Sequence, residues 1–492
     1  MGEKEKIYEK PLYQLWLKQE FNDTLRTIDD REIEVLFPGE ENSSNSGPDF
    51  KNAKIRIGNV IFVGDVEIDI DYSGWKQHGH NINSHYNHVI LHVVLNNKHK
   101  YPYVYSKGGR KIPCLLLKDF VSADYVNAIR NQELTEPKMK SRLKCAGEAK
   151  AVDYFVREKF IAELGMERFK KKMNRFFHRL LELKYLDEKL LSEPKVNYDL
   201  PPEYENKDFN REDFTKKELW EQLFYEFLFE ALGYTKNKNS MRKLAELANL
   251  EFLRKIGKDD DFILKIQAVL FRVSGIFETP AATEDEAATE YQKELAKRWT
   301  ELNGLYDSEY LDETDWQFFK MRPQNFPTIR IAAGSSFVKS IIADNFVSSL
   351  INLIGSDISL TEMMKRLRSA FIIKSFGFWK NHFTFYKKAK TEIHYFVGLS
   401  RADEIIVNVA LPILALYFQI FGLAEHFRKV LKIYNLYTQK SEYSLVDDIA
   451  NVIGLENLTH RTVFVQGMLD LYRSYCSKNK CLECRIGENI FE

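Results

Sequence analysis

Residues Val89 to Leu95 (Val-Ile-Leu-His-Val-Val-Leu) carry one polar side chain in seven. A strand of that pattern has both faces covered, so it needs a sheet with a layer of structure on each side. This requirement makes the N-terminal part of the chain α/β rather than all-β or all-α. The surrounding sequence supplies the other pieces. A short amphipathic helix comes first, with Leu12, Leu15 and Trp16 on one face and Pro11 near its start. Glu32 to Phe37 reads as a strand closed by Pro38-Gly39, and Glu40 to Ser46 as a polar loop. Ala53 to Ile57 and Val60 to Ile70 flank Gly58-Asn59, a tight hairpin turn.

From about Asp119 onward helical periodicity takes over. Ala151 to Leu183 is long, amphipathic and basic. Glu218 to Leu232, Met241 to Ile256, Phe262 to Phe277 and Tyr291 to Asn303 read as helices, and more follow to about Tyr475. Ser192 to Asn210, with three prolines, reads as a linker, and Met321 to Pro327 breaks the pattern. The fold class expected is therefore α/β + α: a mixed-sheet domain over 1–135, a helical domain over 145–475 with a possible split near 192–215, and a Cys-bearing tail over 476–492 that packs back near Cys145.

Charge excludes one class of function. The 492 residues hold 71 basic and 71 acidic side chains, so bulk electrostatics cannot drive nucleic-acid binding. The balance is local, however. Residues 1–75 carry 9 basic and 16 acidic side chains, and residues 76–144 carry 12 and 4. The basic stretch interleaves Tyr101, Tyr103 and Tyr105 with Lys107, Arg110 and Lys111, a pattern that suits either a nucleic-acid strand or an ordinary solvated hairpin. The basic helix Arg168 to Arg179 reads the same two ways. The N-terminus is charged and has no apolar signal core, and five Cys do not make a disulfide framework. The apolar run Ile405 to Leu423 is interrupted by Asn408, Pro412 and Gln419, so a buried core helix is expected rather than a membrane span. The expected location is the cytoplasm.

Side chains alternate across a strand. In Val60 to Asp71 the even positions are apolar apart from Gly64, and the odd positions end in Asp65, Glu67, Asp69 and Asp71. Carboxylates on one strand face repel unless a cation neutralises them. Asp49 begins the partner strand, and a pairing that places it near Glu67 is reasonable. Together these residues suggest a divalent-metal site of hard oxygen ligands; a solvated strand edge is the plain alternative. Six of the eleven His fall between 78 and 99: His78, His80, His85, His88, His92 and His99. His78-Gly79-His80 could bind a transition metal; the competing role is general acid–base work or phosphate contact.

A helix followed by a hairpin with Asp at the start of one strand and an acidic pair on the next resembles the PD-(D/E)xK nuclease core. The resemblance makes Asp49, Asp65 and Glu67 ligands of Mg²⁺ or Mn²⁺, with Glu9 on the first helix and His80 as accessory catalytic candidates. The Lys that this superfamily places two residues after the second acid is missing. Lys54 has the wrong parity unless a bulge intervenes, and Lys76, His78 or His80 would have to replace it. The block from Gly47 to Val94, with Leu232-Gly233-Tyr234 and Arg322-Pro323-Gln-Asn325-Phe326-Pro327, is also similar to the bacterial domain-of-unknown-function family 2851. That family often has His where this chain has Asp69.

Cys476, Cys481 and Cys484 form a C-x4-C-x2-C run, and Cys145 stands alone far upstream. Such a set can hold a zinc ion or an iron–sulfur cluster; reduced thiols in a basic tail are the alternative. Cys114 has an apolar, strand-like context and reads as core. The leading expectation is a metal-dependent nuclease acting on DNA or RNA. The others are a non-catalytic nucleic-acid-binding scaffold that keeps the core, and a Zn or Mn hydrolase built on the His cluster. The helical domain would bind substrate or a protein partner.

Overall fold

A computed structural model describes residues 10–42, 47–122, 126, 143–189, 200–201, 204, 207–277, 285–318, 321–440 and 443–491. The chain divides into two compact units, Met1–Pro137 with Gln317–Met321, and Lys138–Trp316 with Arg322–Glu492. Glu9 and, within 192–215, residues 192–199, 202–203 and 205–206 lie outside the described residues.

The N-terminal unit is a seven-stranded mixed sheet. Helix α1 (Lys10–Lys18) precedes β1 (Ile33–Phe37), β2 (Glu40–Glu41), β3 (Phe50–Ile57) and β4 (Val60–Asp71). The short helix α2 (Gly74–Gln77) and two 3₁₀ turns lead into β5 (Val89–Asn96), and β6 (Tyr103–Tyr105) and β7 (Lys111–Leu116) complete it. The order is β1-β3-β4-β5-β7-β6, with β2 on β3. Neighbours are antiparallel except β4–β5 and β5–β7, which are parallel. The expected polar loop after Pro38-Gly39 therefore begins with two paired residues, Glu40 opposite Lys51 and Glu41 opposite Phe50.

Burial follows the apolar pattern. Ile57 pairs with Val60 across Gly58-Asn59, and Gly58 takes φ +59, which that turn requires. The even residues Val66 and Ile68 of β4 pack with Leu12, Leu15 and Trp16 of α1 and with Leu91, Val93 and Leu95 of β5. The opposite face of β5 meets Trp75 and Tyr86 from the crossover. All seven residues from Val89 to Leu95 are buried, as a strand covered on both sides must be.

One irregularity sets the faces of the hairpin. Phe50 pairs with Val66 but Ala53 pairs with Gly64, so β3 holds one extra residue at Lys51-Asn52. Asn52 adopts φ +57 there. The bulge reverses parity: Phe50 is buried, then Ala53, Ile55 and Ile57. Lys54 thus pairs with Val63, on the face that carries Asp65 and Glu67.

The second unit is mainly helical. Its long helix α3 (Tyr154–Glu188) starts at Asp153, whose carboxylate accepts from the Phe155 and Val156 N–H groups. It packs against α4 (Thr462–Ser474) at two glycines. A Cβ at Gly165 would lie 2.1 Å from the Val463 carbonyl oxygen, and one at Gly467 would lie 1.9 Å from that of Ile161. Several expected boundaries move. Met241 to Ile256 is two helices, because Asn249 caps a new start by accepting from the Phe252 N–H. Pro327 opens the helix Pro327–Ala343 instead of only breaking a pattern, since proline fits a first turn. Two small ribbons interrupt the helices: His382–Thr384 with Lys387–Lys388, and Ile373–Lys374 with Tyr395–Val397. Their strands are too short to leave a periodic signal. The helix Leu399–Ile420 is long and apolar enough to cross a membrane, but 72% of its apolar window is buried within the protein, as a core helix would be. The Cys tail ends in a short helix, Arg485–Phe491, and belongs to the helical unit.

Candidate metal centre

The bulged hairpin brings Asp49 beside Glu67. The Asp49 N–H donates to Glu67 Oε2 at 3.0 Å. The Asp49 carboxylate itself is held in the sheet. It accepts from the Ile68 N–H at 3.0 Å and from the Tyr13 hydroxyl of α1. Asp65 accepts from the Asn52 N–H at 3.1 Å and so pins the bulge. These two carboxylates hold the backbone around the site.

The acids that converge on imidazoles are Glu67 and Asp69. Both are buried, and they face the crossover segment that follows β4. His80 Nε2 lies 3.4 Å from Glu67 Oε1, and His80 Nδ1 lies 3.9 Å from Asp69 Oδ2. One ligand atom each from Glu67, Asp69 and His80 falls within 4.8 Å of the others, close enough that the three could hold a metal ion. Two further histidines grip Asp69. His78 Nδ1 is 3.0 Å from Oδ1, and His92 Nε2 is 3.0 Å from Oδ2. His92 arrives from β5 because the parallel register places it opposite Glu67. The Cys114 sulfur lies 3.7 Å from its other nitrogen. His80 is fully buried and stacks on Tyr86 at 4.0 Å and 9°, with Trp75 edge-on at 5.3 Å.

The electrostatics favour a charged centre. Burial penalises the ionised Asp69, but hydrogen bonds to His78 and His92 and the potential of His92 and His80 outweigh it and hold the carboxyl well below the usual range. Imidazole and carboxylate donors together suit Mn²⁺, Zn²⁺ or Fe²⁺ better than Mg²⁺, which prefers an all-oxygen shell. His78 and His92 would act by orienting Asp69 from outside the ligand trio.

Trp75 separates this centre from an open cleft of about 810 Å³ at the carboxyl ends of β4 and β5. Tyr72, Tyr101 and Tyr105 line the cleft, with Lys76 and Lys98. Such a position, past the ends of parallel strands, is where α/β sheets commonly bind ligands. Other basic residues of the Tyr-rich segment are committed elsewhere: Arg110 donates to the Asn87 and Val89 carbonyls, and Lys111 lies over the Tyr103 ring.

Among the sequence candidates, Glu67 and His80 stand in the trio, with Asp69 in place of Asp65. Asp49 is adjacent and Asp65 lies at the bulge. Glu9 is outside the described residues. Asp69 and His92 are visible in the sequence only as parts of an acidic run and a His-rich segment, whereas His78 stands beside His80 as a transition-metal candidate. The register of β4 on β5 is the signal that joins them. Lys54 reaches the acidic face through the bulge, but its partner Val63 is four residues, about 13 Å, short of Glu67. Cys145, Cys476, Cys481 and Cys484 all belong to the helical unit.

Fold and site define an α/β unit with a buried carboxylate–imidazole centre, joined in one chain to a helical unit. The chain belongs to the family described as "Protein of unknown function (DUF2851)", whose model matches residues 9–191 and 205–442. No curated protein and no solved structure matches it.

Proposed function

We propose that the N-terminal unit is a divalent-metal-dependent hydrolase of phosphodiester bonds in nucleic acid, with Mn²⁺ the best-suited ion and Glu67, Asp69 and His80 its ligands. The observation that carries this reading is the convergence of those three ligand atoms within 4.8 Å on the acidic face of β4. The order of helix, bulged hairpin and acidic strand supports it by likeness to the PD-(D/E)xK core, a fold-level argument that by itself leaves the reaction open. A bound divalent ion would activate water and stabilise charge on the attacked phosphate. The chain's own residues have separate tasks. His78 and His92 fix Asp69, and Trp75 and Tyr86 keep the His80 ring in place. Partly exposed His78 is the group placed to exchange a proton with solvent. Lys76 and Lys98 would attract a phosphate backbone, and Tyr101 and Tyr105, both half exposed, offer faces for unstacked bases. Cysteines that are not joined as disulfides suit the reducing cytoplasm.

The test is cleavage of single- and double-stranded DNA and RNA with Mn²⁺, for the native chain and three variants. Asp69→Asn and Glu67→Gln should reduce cleavage by at least about 100-fold, in keeping with the contribution of a metal-activated nucleophile. Asp65→Asn should keep most of it. Salt-dependent binding without cleavage by any of them would instead establish a non-catalytic scaffold.

A further inference from the structure

The four cysteines of the helical unit come from positions more than 330 residues apart in sequence, yet the fold brings their segments together. Cys145 sits in the turn before α3. Its carbonyl accepts from the Glu148 and Ala149 N–H groups, the latter opening the 3₁₀ turn Ala149–Ala151. The tail helix Arg485–Phe491 packs on that turn and on α3. Arg485 bonds Glu163 of α3 at 2.8 Å and lies over the Phe160 ring at 5.1 Å. Cys476 and Cys481 each open a 3₁₀ turn, and Asn479 between them takes φ +56 so that the chain can reverse. Gly487 lets the tail helix close against Cys481: a Cβ there would lie 2.2 Å from the Cys481 carbonyl oxygen.

The thiols share one electrostatic environment. Burial raises Cys145, and the charges of Cys484 and Cys481 raise it further. Burial pushes Cys476 up to about 12, with Cys145, Cys484 and Cys481 adding to it. Burial also raises Cys484, while the Ile486 and Gly487 N–H groups favour its thiolate. The cysteines are not joined as disulfides.

We propose that Cys145, Cys476, Cys481 and Cys484 are the ligands of an iron–sulfur cluster that fastens the tail to the start of the helical unit. The spacing favours a cluster over a single zinc ion. The C-x4-C-x2-C run is that of the close-spaced part of a known [2Fe–2S] arrangement, with the remote Cys placed before the run here and after it there, whereas structural zinc sites usually draw their ligands in two close pairs.

The experiment is anaerobic purification of the full chain, followed by iron, zinc and acid-labile sulfide analysis and a visible spectrum. Expected are a brown protein with iron and sulfide in equal amounts, and a several-fold loss of both in Cys481→Ser and Cys145→Ser. Cys114→Ser should keep the cluster, because Cys114 is buried in the sheet of the other unit and its thiol is pushed up to about 12 by that burial. Should the serine variants fail to fold, iron-free protein from iron-starved cells, reconstituted with iron and sulfide, gives the same readout on the native sequence. One zinc per chain without labile sulfide would overturn the cluster. Free titration of Cys145, Cys476, Cys481 and Cys484 in native, metal-free protein that resists reconstitution would overturn the site altogether.

Discussion

Gly74 illustrates how tightly the centre is built. A Cβ at this position would lie 2.4 Å from Asp69 Oδ1, so only glycine lets α2 close over the carboxylate that His78 and His92 hold. Gly74→Ala should displace Asp69 and weaken Mn²⁺ binding at least about tenfold, with a stability cost of about 1–3 kcal/mol typical of overpacking. Calorimetric titration and urea unfolding measure the two effects. Native affinity in this variant would show that Asp69 is not a ligand. Binding should also weaken as the pH falls, because protons compete with metal for His80 and the carboxylates.

The β3 bulge decides what the hairpin presents. Without the extra residue, Ala53, Ile55 and Ile57 would turn to the acidic face and Lys54 into the core, since one position of slip exchanges the two faces. Asn52 holds the bulge through its N–H to Asp65 and its left-handed backbone. Asn52→Gly should therefore be nearly neutral, and Asn52→Val should destabilise by about 1–2 kcal/mol, the cost of that conformation for a branched side chain. Denaturant midpoints distinguish them, and equal stability would argue against the bulge. In the helical unit, the two short family-like motifs meet at a single buried side chain. Arg330 donates to the Tyr234 hydroxyl at 2.8 Å, to Asn325 Oδ1 at 2.6 Å and to the Phe396 carbonyl, while Arg401 covers the Tyr234 ring. Burial lowers Arg330 to about 10. Their role is to build the core of that unit, where an unmet guanidinium would be costly.

Two compact units imply two unfolding events. Mn²⁺ at 100 times its dissociation constant should stabilise the N-terminal unit by about 2.7 kcal/mol and leave the helical transition in place. Differential scanning calorimetry reads this directly. A shift of the other transition alone would put the metal elsewhere. At this scale much was legible in the sequence. The apolar run Val89 to Leu95, the Gly58-Asn59 turn and the alternation along β4 determined a buried strand, a hairpin and an acidic face, because those signals are local and periodic. They also placed Glu67 and His80 among the candidates. What the sequence left open is which acids meet which imidazoles. That depends on a one-residue bulge in β3 and on the parallel register that sets His92 opposite Glu67. Both come from the pairing of strands distant in the chain, and they turn Asp65 to the bulge and Asp69 to the histidines. The same holds for Cys145 and the tail: the sequence supplied the thiols and the expectation that the tail packs back, and helix packing brings the two segments together.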